Sequence, residues 1–104
     1  MTLEINPREA HERLRRGTAV LIDVREPWEF AIVHAPRAEL VPLGELGSRL
    51  DDMPRDREIL FICQTGSRSL AAAGWAREAG LNAVSVAGGT SVWRLHGLPV
   101  EVGS

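Results

Sequence analysis

The chain contains no lysine: all 12 of its basic residues are arginine, set against 14 acidic residues for a net charge of −2. The arginines are scattered rather than clustered, which excludes a broad basic surface for nucleic acid or an anionic membrane. Any cationic function is therefore local. There is one cysteine, Cys63, which rules out an intrachain disulfide and a CxxC redox pair. Cysteine-rich zinc binding is equally excluded, and His11, His34 and His96 show no ligand spacing, so neither a metal nor an organic cofactor is expected. No apolar run approaches the roughly 20 residues of a membrane span. The opening MTLEINPREAHERL is charged and lacks the apolar segment of a secretory signal. Repeats, linkers and low-complexity tracts are also missing. What is left is an ordinary globular composition over 104 residues, read as one domain spanning 1–104 with a modest core and a cytoplasmic location.

Short apolar runs alternate with helical patterns. A brief strand at Leu3 to Ile5 is followed by a helix start, with Asn6 as N-cap, Pro7 at the first helical position and Glu9 placed for a capping box. That helix closes at Gly17. AVLIDV, Ala19 to Val24, shows no alternation and is rich in β-branched residues, as in a strand buried on both faces. A short helical stretch starts at Pro27, and ELVP, Glu39 to Pro42, is a weak strand. Leu43 to Met53 reads as a surface helix and EILFIC, Glu58 to Cys63, as a second buried strand. Ser67 to Ala79 is a helix closed by Gly80, Ala83 to Val86 a last strand, and Gly88-Gly89 a turn into a helix around Thr90 to His96. This alternation predicts an α/β domain with a mostly parallel sheet.

Cys63 ends a buried strand, four residues before a helix begins. In open α/β sheets ligands bind beyond the carboxyl ends of the strands. The connecting Gln64-Thr65-Gly66-Ser67 is small or polar, and Gly66 lets the backbone turn inward to aim several N–H groups at one point, an anion-binding nest. Arg68 adds a cation with forked donors. No acidic residue follows until Glu78, so the helix opens on a cation at its electropositive end, a placement that calls for a negative species nearby. The same field would stabilise a thiolate. A lone cysteine is ordinarily a small buried hydrophobe. Its strand-end position, the glycine-containing polar loop and the arginine together favour a nucleophile instead. Ser69, Ala72, Ala73, Ala76 and Gly80 form a small-residue stripe that would bring the helix close to the sheet, although alanine is also simply a good helix former.

LIDVREPWEF, CQTGSRS and GLNAVSVAGGTSVW, in that order, resemble the signatures of the rhodanese family of sulfurtransferases. The resemblance implies an α/β, rhodanese-like fold: about five parallel strands flanked by helices on both faces. It implies that Cys63 accepts sulfane sulfur as a persulfide, with Arg68 beside it. Gln64, Thr65, Gly66, Ser67 and Ser69 would cradle the persulfide and a bound anion. Asp23 and Arg25, from the DVR signature, would support the loop, although Asp23 reads equally well as a plain strand-end cap. The chain departs from the family where Gly-His-Ile-Pro-Gly-Ala is common: here Val33-His34-Ala35-Pro36-Arg37-Ala38 keeps His34 and Pro36 but neither glycine. His34 is expected to be a structural hydrogen-bonding residue. Trp75 and Trp93 are expected to pack in the core, with Trp28 near the site.

Related phosphatases and arsenate reductases place five residues between cysteine and arginine, whereas four intervene here. The loop also lacks an aspartate to protonate an ester leaving group. Both facts favour sulfur transfer. The expected partners are a small sulfur donor, thiosulfate or a similar compound, and a cyanide or thiol acceptor, with a protein thiol as a further acceptor. A second reading is a persulfide carrier that relays sulfur to partner proteins without turnover.

Overall fold

The computed structural model describes residues 3–103. In chain order its elements are β1 (Glu4–Ile5), α1 (Pro7–Arg15), β2 (Ala19–Asp23), α2 (Pro27–Ile32), β3 (Glu39–Leu40), α3 (Leu43–Arg49), β4 (Glu58–Ile62), α4 (Ser67–Glu78), β5 (Ala83–Val86) and α5 (Gly89–Leu95). The strands form one five-stranded sheet in the order β1-β5-β4-β2-β3, with every pairing parallel. This is the α/β architecture of parallel strands joined by helical crossovers. Most element ends fall within a residue or two of their predicted positions. The main exception is the third helix, whose last turn tightens into a 3₁₀ segment at Leu50–Asp52, a common way to close a helix end.

The lack of alternation in β4 follows from burial on both faces. Ile59, Phe61 and Cys63 project into one apolar cluster with Leu46 of α3 and Ala72, Ala73 and Ala76 of α4. Leu60 and Ile62 project into the other, with Ala10 and Leu14 of α1 and Trp93 of α5. Helices therefore cover both sheet faces. Ser69, Ala72, Ala73 and Ala76 of the small-residue stripe are all buried, but Gly80 lies beyond the helix end and is exposed. The periodicity that grouped it with the others runs past the last helical turn. Trp75, expected in the core, is 46% exposed, because the face of α4 it occupies is turned away from the sheet.

Asn6 Oδ1 accepts a hydrogen bond from the Glu9 amide at 2.9 Å, capping α1 with Pro7 at its first position. The α2 start is a reciprocal capping box: the Glu26 side chain accepts from the Glu29 backbone, and the Glu26 amide donates to Glu29 Oε1 at 3.0 Å. This box sets the orientation of Glu29 described below. His34 is buried and stacked on Phe30 at 3.7 Å, and its Nδ1 lies 2.8 Å from the Phe30 carbonyl.

Candidate active site

Register brings the site together. Asp23 of β2 pairs with Ile62 of β4, and Phe61 of β4 pairs with Ser85 of β5. The C-terminal ends of the three central strands therefore converge on Cys63, one residue past β4. Gly66 caps α4 at φ +108°, a conformation open to glycine and strained for other residues. That turn points the Gly66 amide at Cys63 Sγ at 3.1 Å, while the Ser69 amide reaches it at 3.3 Å. Ser69 Oγ lies 3.3 Å from the same sulfur. Gly89, at φ +58°, lets the next turn pass directly over the loop: a Cβ there would collide with the Cys63 and Gln64 carbonyls. The close approach lets the Thr90 amide and hydroxyl donate to the Cys63 carbonyl at 2.8 and 3.0 Å.

Burial raises the Cys63 thiol pKa, but hydrogen bonds from the Ser69 hydroxyl and the Ser69, Gly66 and Thr65 amides outweigh it, so the pKa lies below the ordinary thiol value. The thiolate form is thus favoured by the Ser69 hydroxyl and by loop and helix-start amides rather than by contact with a cation. Ser69 Oγ also lies 3.2 Å from the Gly66 carbonyl and 2.7 Å from Ser85 Oγ on β5. A hydroxyl has one proton to give. When Ser69 donates to the thiolate, Ser85 donates to Ser69.

Asp23 and Arg25 form a buried ion pair, 0% and 1% exposed. Arg25 Nε and Nη2 donate to both Asp23 oxygens at 2.9–3.1 Å. Its remaining donors reach the Val33 carbonyl at 2.7 Å and Gln64 Oε1 at 3.0 Å. Gln64 Nε2 in turn donates to Ser91 Oγ at 3.0 Å. A polar chain thus runs from β2 through the loop to α5, with Gln64 in the middle. Among the described residues no buried side-chain nitrogen or oxygen lacks a partner, the condition under which a buried ionic network is stable.

Arg68 differs from the sequence expectation. It is not a cation without a carboxylate: its guanidinium grips Glu29 of α2 in a forked pair at 2.8 and 2.9 Å. The Arg68 hydrogen bond, opposed by burial and helped by the Glu26 amide and the charges of Arg68 and Arg25, lowers the Glu29 carboxyl to about 2. The partner is 39 residues away in the chain, so the local stretch around Arg68 could not show it. Sequence reading also missed Ser85, Thr90 and Ser91. Glu29 alone carried a usable signal, its position three residues after Glu26 in EPWEF. A groove of about 280 Å³ beside Gln64 is lined by Trp28, Glu29, Ile32 and Arg94 as well. No group of three His, Cys, Asp or Glu side chains among the described residues is placed to hold a metal ion.

A family model described as the rhodanese-like domain matches residues 6–96. Among solved structures, a rhodanese-related protein from Thermoplasma volcanium superposes with a TM-score of 0.89 at 32% identity, over 95% of this chain and 97% of its own. A rhodanese-like domain protein from Staphylococcus aureus gives 0.85 at 26% identity, with both chains wholly covered. A thiosulfate sulfurtransferase from Pseudomonas aeruginosa gives 0.85 at 26% identity, over 99% of this chain but 21% of its own length.

Proposed function

The chain belongs to the rhodanese-like family, and from that premise we propose that residues 1–104 act as one sulfurtransferase domain carrying sulfane sulfur on Cys63. The observation that carries this reading is the sulfur itself: Cys63 Sγ sits at the C-terminal end of β4 with the Gly66 and Ser69 amides and the Ser69 hydroxyl directed at it. Such a cradle stabilises a thiolate before transfer and the anionic persulfide after it.

The cycle has two steps. The Cys63 thiolate attacks the outer sulfur of thiosulfate; the new S–S bond forms as the old one breaks, and sulfite leaves as the dianion. A thiolate, or cyanide, then attacks the outer sulfur of the persulfide and restores Cys63. Because the chain holds no second cysteine, discharge is intermolecular and the kinetics are ping-pong. The loop from Gln64 to Ser67, with Ser69, binds sulfur and oxyanion. Asp23 and Arg25 position Gln64, and Arg68 orders the loop through Glu29. Thiol acceptors of the cytoplasm suit the second step. Incubation with thiosulfate should add the mass of one sulfur to the intact protein, an adduct missing in Cys63→Ser. If no adduct forms with any sulfane donor, the reading is wrong.

Relay to a protein thiol is the second reading, and it uses the same persulfide. Faster discharge to a protein thiol than to cyanide would favour it.

A further inference from the structure

The charges around the cysteine are arranged in pairs, and the pairing bears on which donor the site accepts. Arg25 is matched to Asp23, and Arg68 to Glu29. Arg94 also lines the groove beside Gln64, and among the described residues it is the groove cation without a partner. An anion entering this groove therefore meets one uncompensated positive charge, Arg94, since Arg25 is matched and Arg68 is held by the Glu29 carboxylate that lines the groove. Trp28 and Ile32, 67% and 61% exposed, give the same groove an apolar wall. A small dianion uses none of that wall. A donor with one charge and an organic stem uses both features.

The geometry points to Glu29 as a specificity-determining residue that neutralises Arg68 and so tunes the site to singly charged organic sulfane donors, thiosulfonates, in preference to dianionic thiosulfate. This rests on the sulfurtransferase reading above. With a thiosulfonate the transfer balances simply: the Cys63 thiolate attacks the outer sulfur, the sulfur–sulfur bond of the donor breaks, and the sulfinate leaves with its electron pair.

Methanethiosulfonate and thiosulfate make a matched pair of probes, since a methyl group replaces one charged oxygen. Sulfur loading of Cys63 is followed by intact mass, and the half-saturating concentration of each donor is measured in the native protein, Glu29→Gln, Arg68→Ala and the Glu29→Ala/Arg68→Ala double variant. Glu29→Gln can retain the hydrogen bond from the Glu26 amide, so α2 keeps its cap. The native protein should favour the monoanion. Glu29→Gln frees the Arg68 charge and should shift the preference toward thiosulfate by roughly tenfold, about 1.4 kcal/mol. Arg68→Ala leaves Glu29 as an open carboxylate and should shift it roughly tenfold the other way. The double variant, neutral again, should return to near the native ratio, because paired charges removed together cancel. A double variant as impaired toward thiosulfate as Arg68→Ala, with an unchanged ratio in Glu29→Gln, would mean that Arg68 contacts the donor itself and overturns the inference.

The two claims fail separately. If neither donor loads the native protein, sulfur transfer is refuted. Binding of sulfate against methanesulfonate to Cys63→Ser, with and without Glu29→Gln, then reads the charge preference without any chemistry. A preference for methanesulfonate that Glu29→Gln abolishes supports the role of Glu29, and equal binding in both backgrounds rejects it.

Discussion

Replacing Ser69 by alanine removes the hydroxyl contact to Cys63 Sγ at 3.3 Å and leaves the Gly66 and Ser69 amides at 3.1 and 3.3 Å. A hydrogen bond to a charged group contributes about 1.5–3 kcal/mol. A long contact to sulfur belongs at the lower end. At 1.36 kcal/mol per unit of pKa, the thiol should rise by about one unit. Ultraviolet absorbance of the thiolate against pH measures this directly. The same substitution strips Ser85 Oγ, in a fully buried residue, of its partner at 2.7 Å, which costs about 1–3 kcal/mol of stability. Ser85→Ala added to it should recover most of that loss without restoring the thiolate. The linkage has a defined sign. Cys63 ionises below the ordinary thiol value in the folded state, so its contribution to stability is present above the unfolded pKa and is lost as pH falls through the folded one. The part of the native-to-variant stability gap that depends on pH should therefore be fully present at alkaline pH and vanish below the folded pKa. An unchanged titration in Ser69→Ala would refute the claim that its hydroxyl holds the thiolate.

Gly89→Ala should destabilise the fold by more than about 2 kcal/mol by denaturant titration, because it combines a left-handed backbone with a clash against the loop carbonyls. Arg25→Met leaves the Asp23 carboxylate buried and uncompensated; a loss of about 3–5 kcal/mol is expected, and adding Asp23→Asn should recover part of it. Glu29, lowered from an ordinary 4.5 to about 2 by Arg68, contributes stability above its unfolded pKa that is lost as pH falls through the folded value. The stability gap between the native protein and Glu29→Gln should accordingly narrow between those two pH values and close near the lower one. A gap of constant size across that range would rule out the ion pair as its source.

The strands and most helix starts were legible from local chemistry. Unalternated β-branched runs mark β2 and β4 because both faces of these strands are buried, and Asn6-Pro7 marks α1 because a cap acts within three residues. The cysteine's place at a strand end, with a glycine turn before α4, was equally local. Arg68 shows where local chemistry stops. Read along the chain it had no acid for ten residues, and its place at a helix start made it look like an anion's partner. Folding sets it against Glu29. Ser85 reached Ser69, and Gln64 came to bridge Arg25 and Ser91, for the same reason: β4 lies between β2 and β5. Periodicity and propensity depend on neighbours a few residues apart, so they specify elements. Strand order and register decide which distant side chains share a few ångströms, and with them the charge of the site.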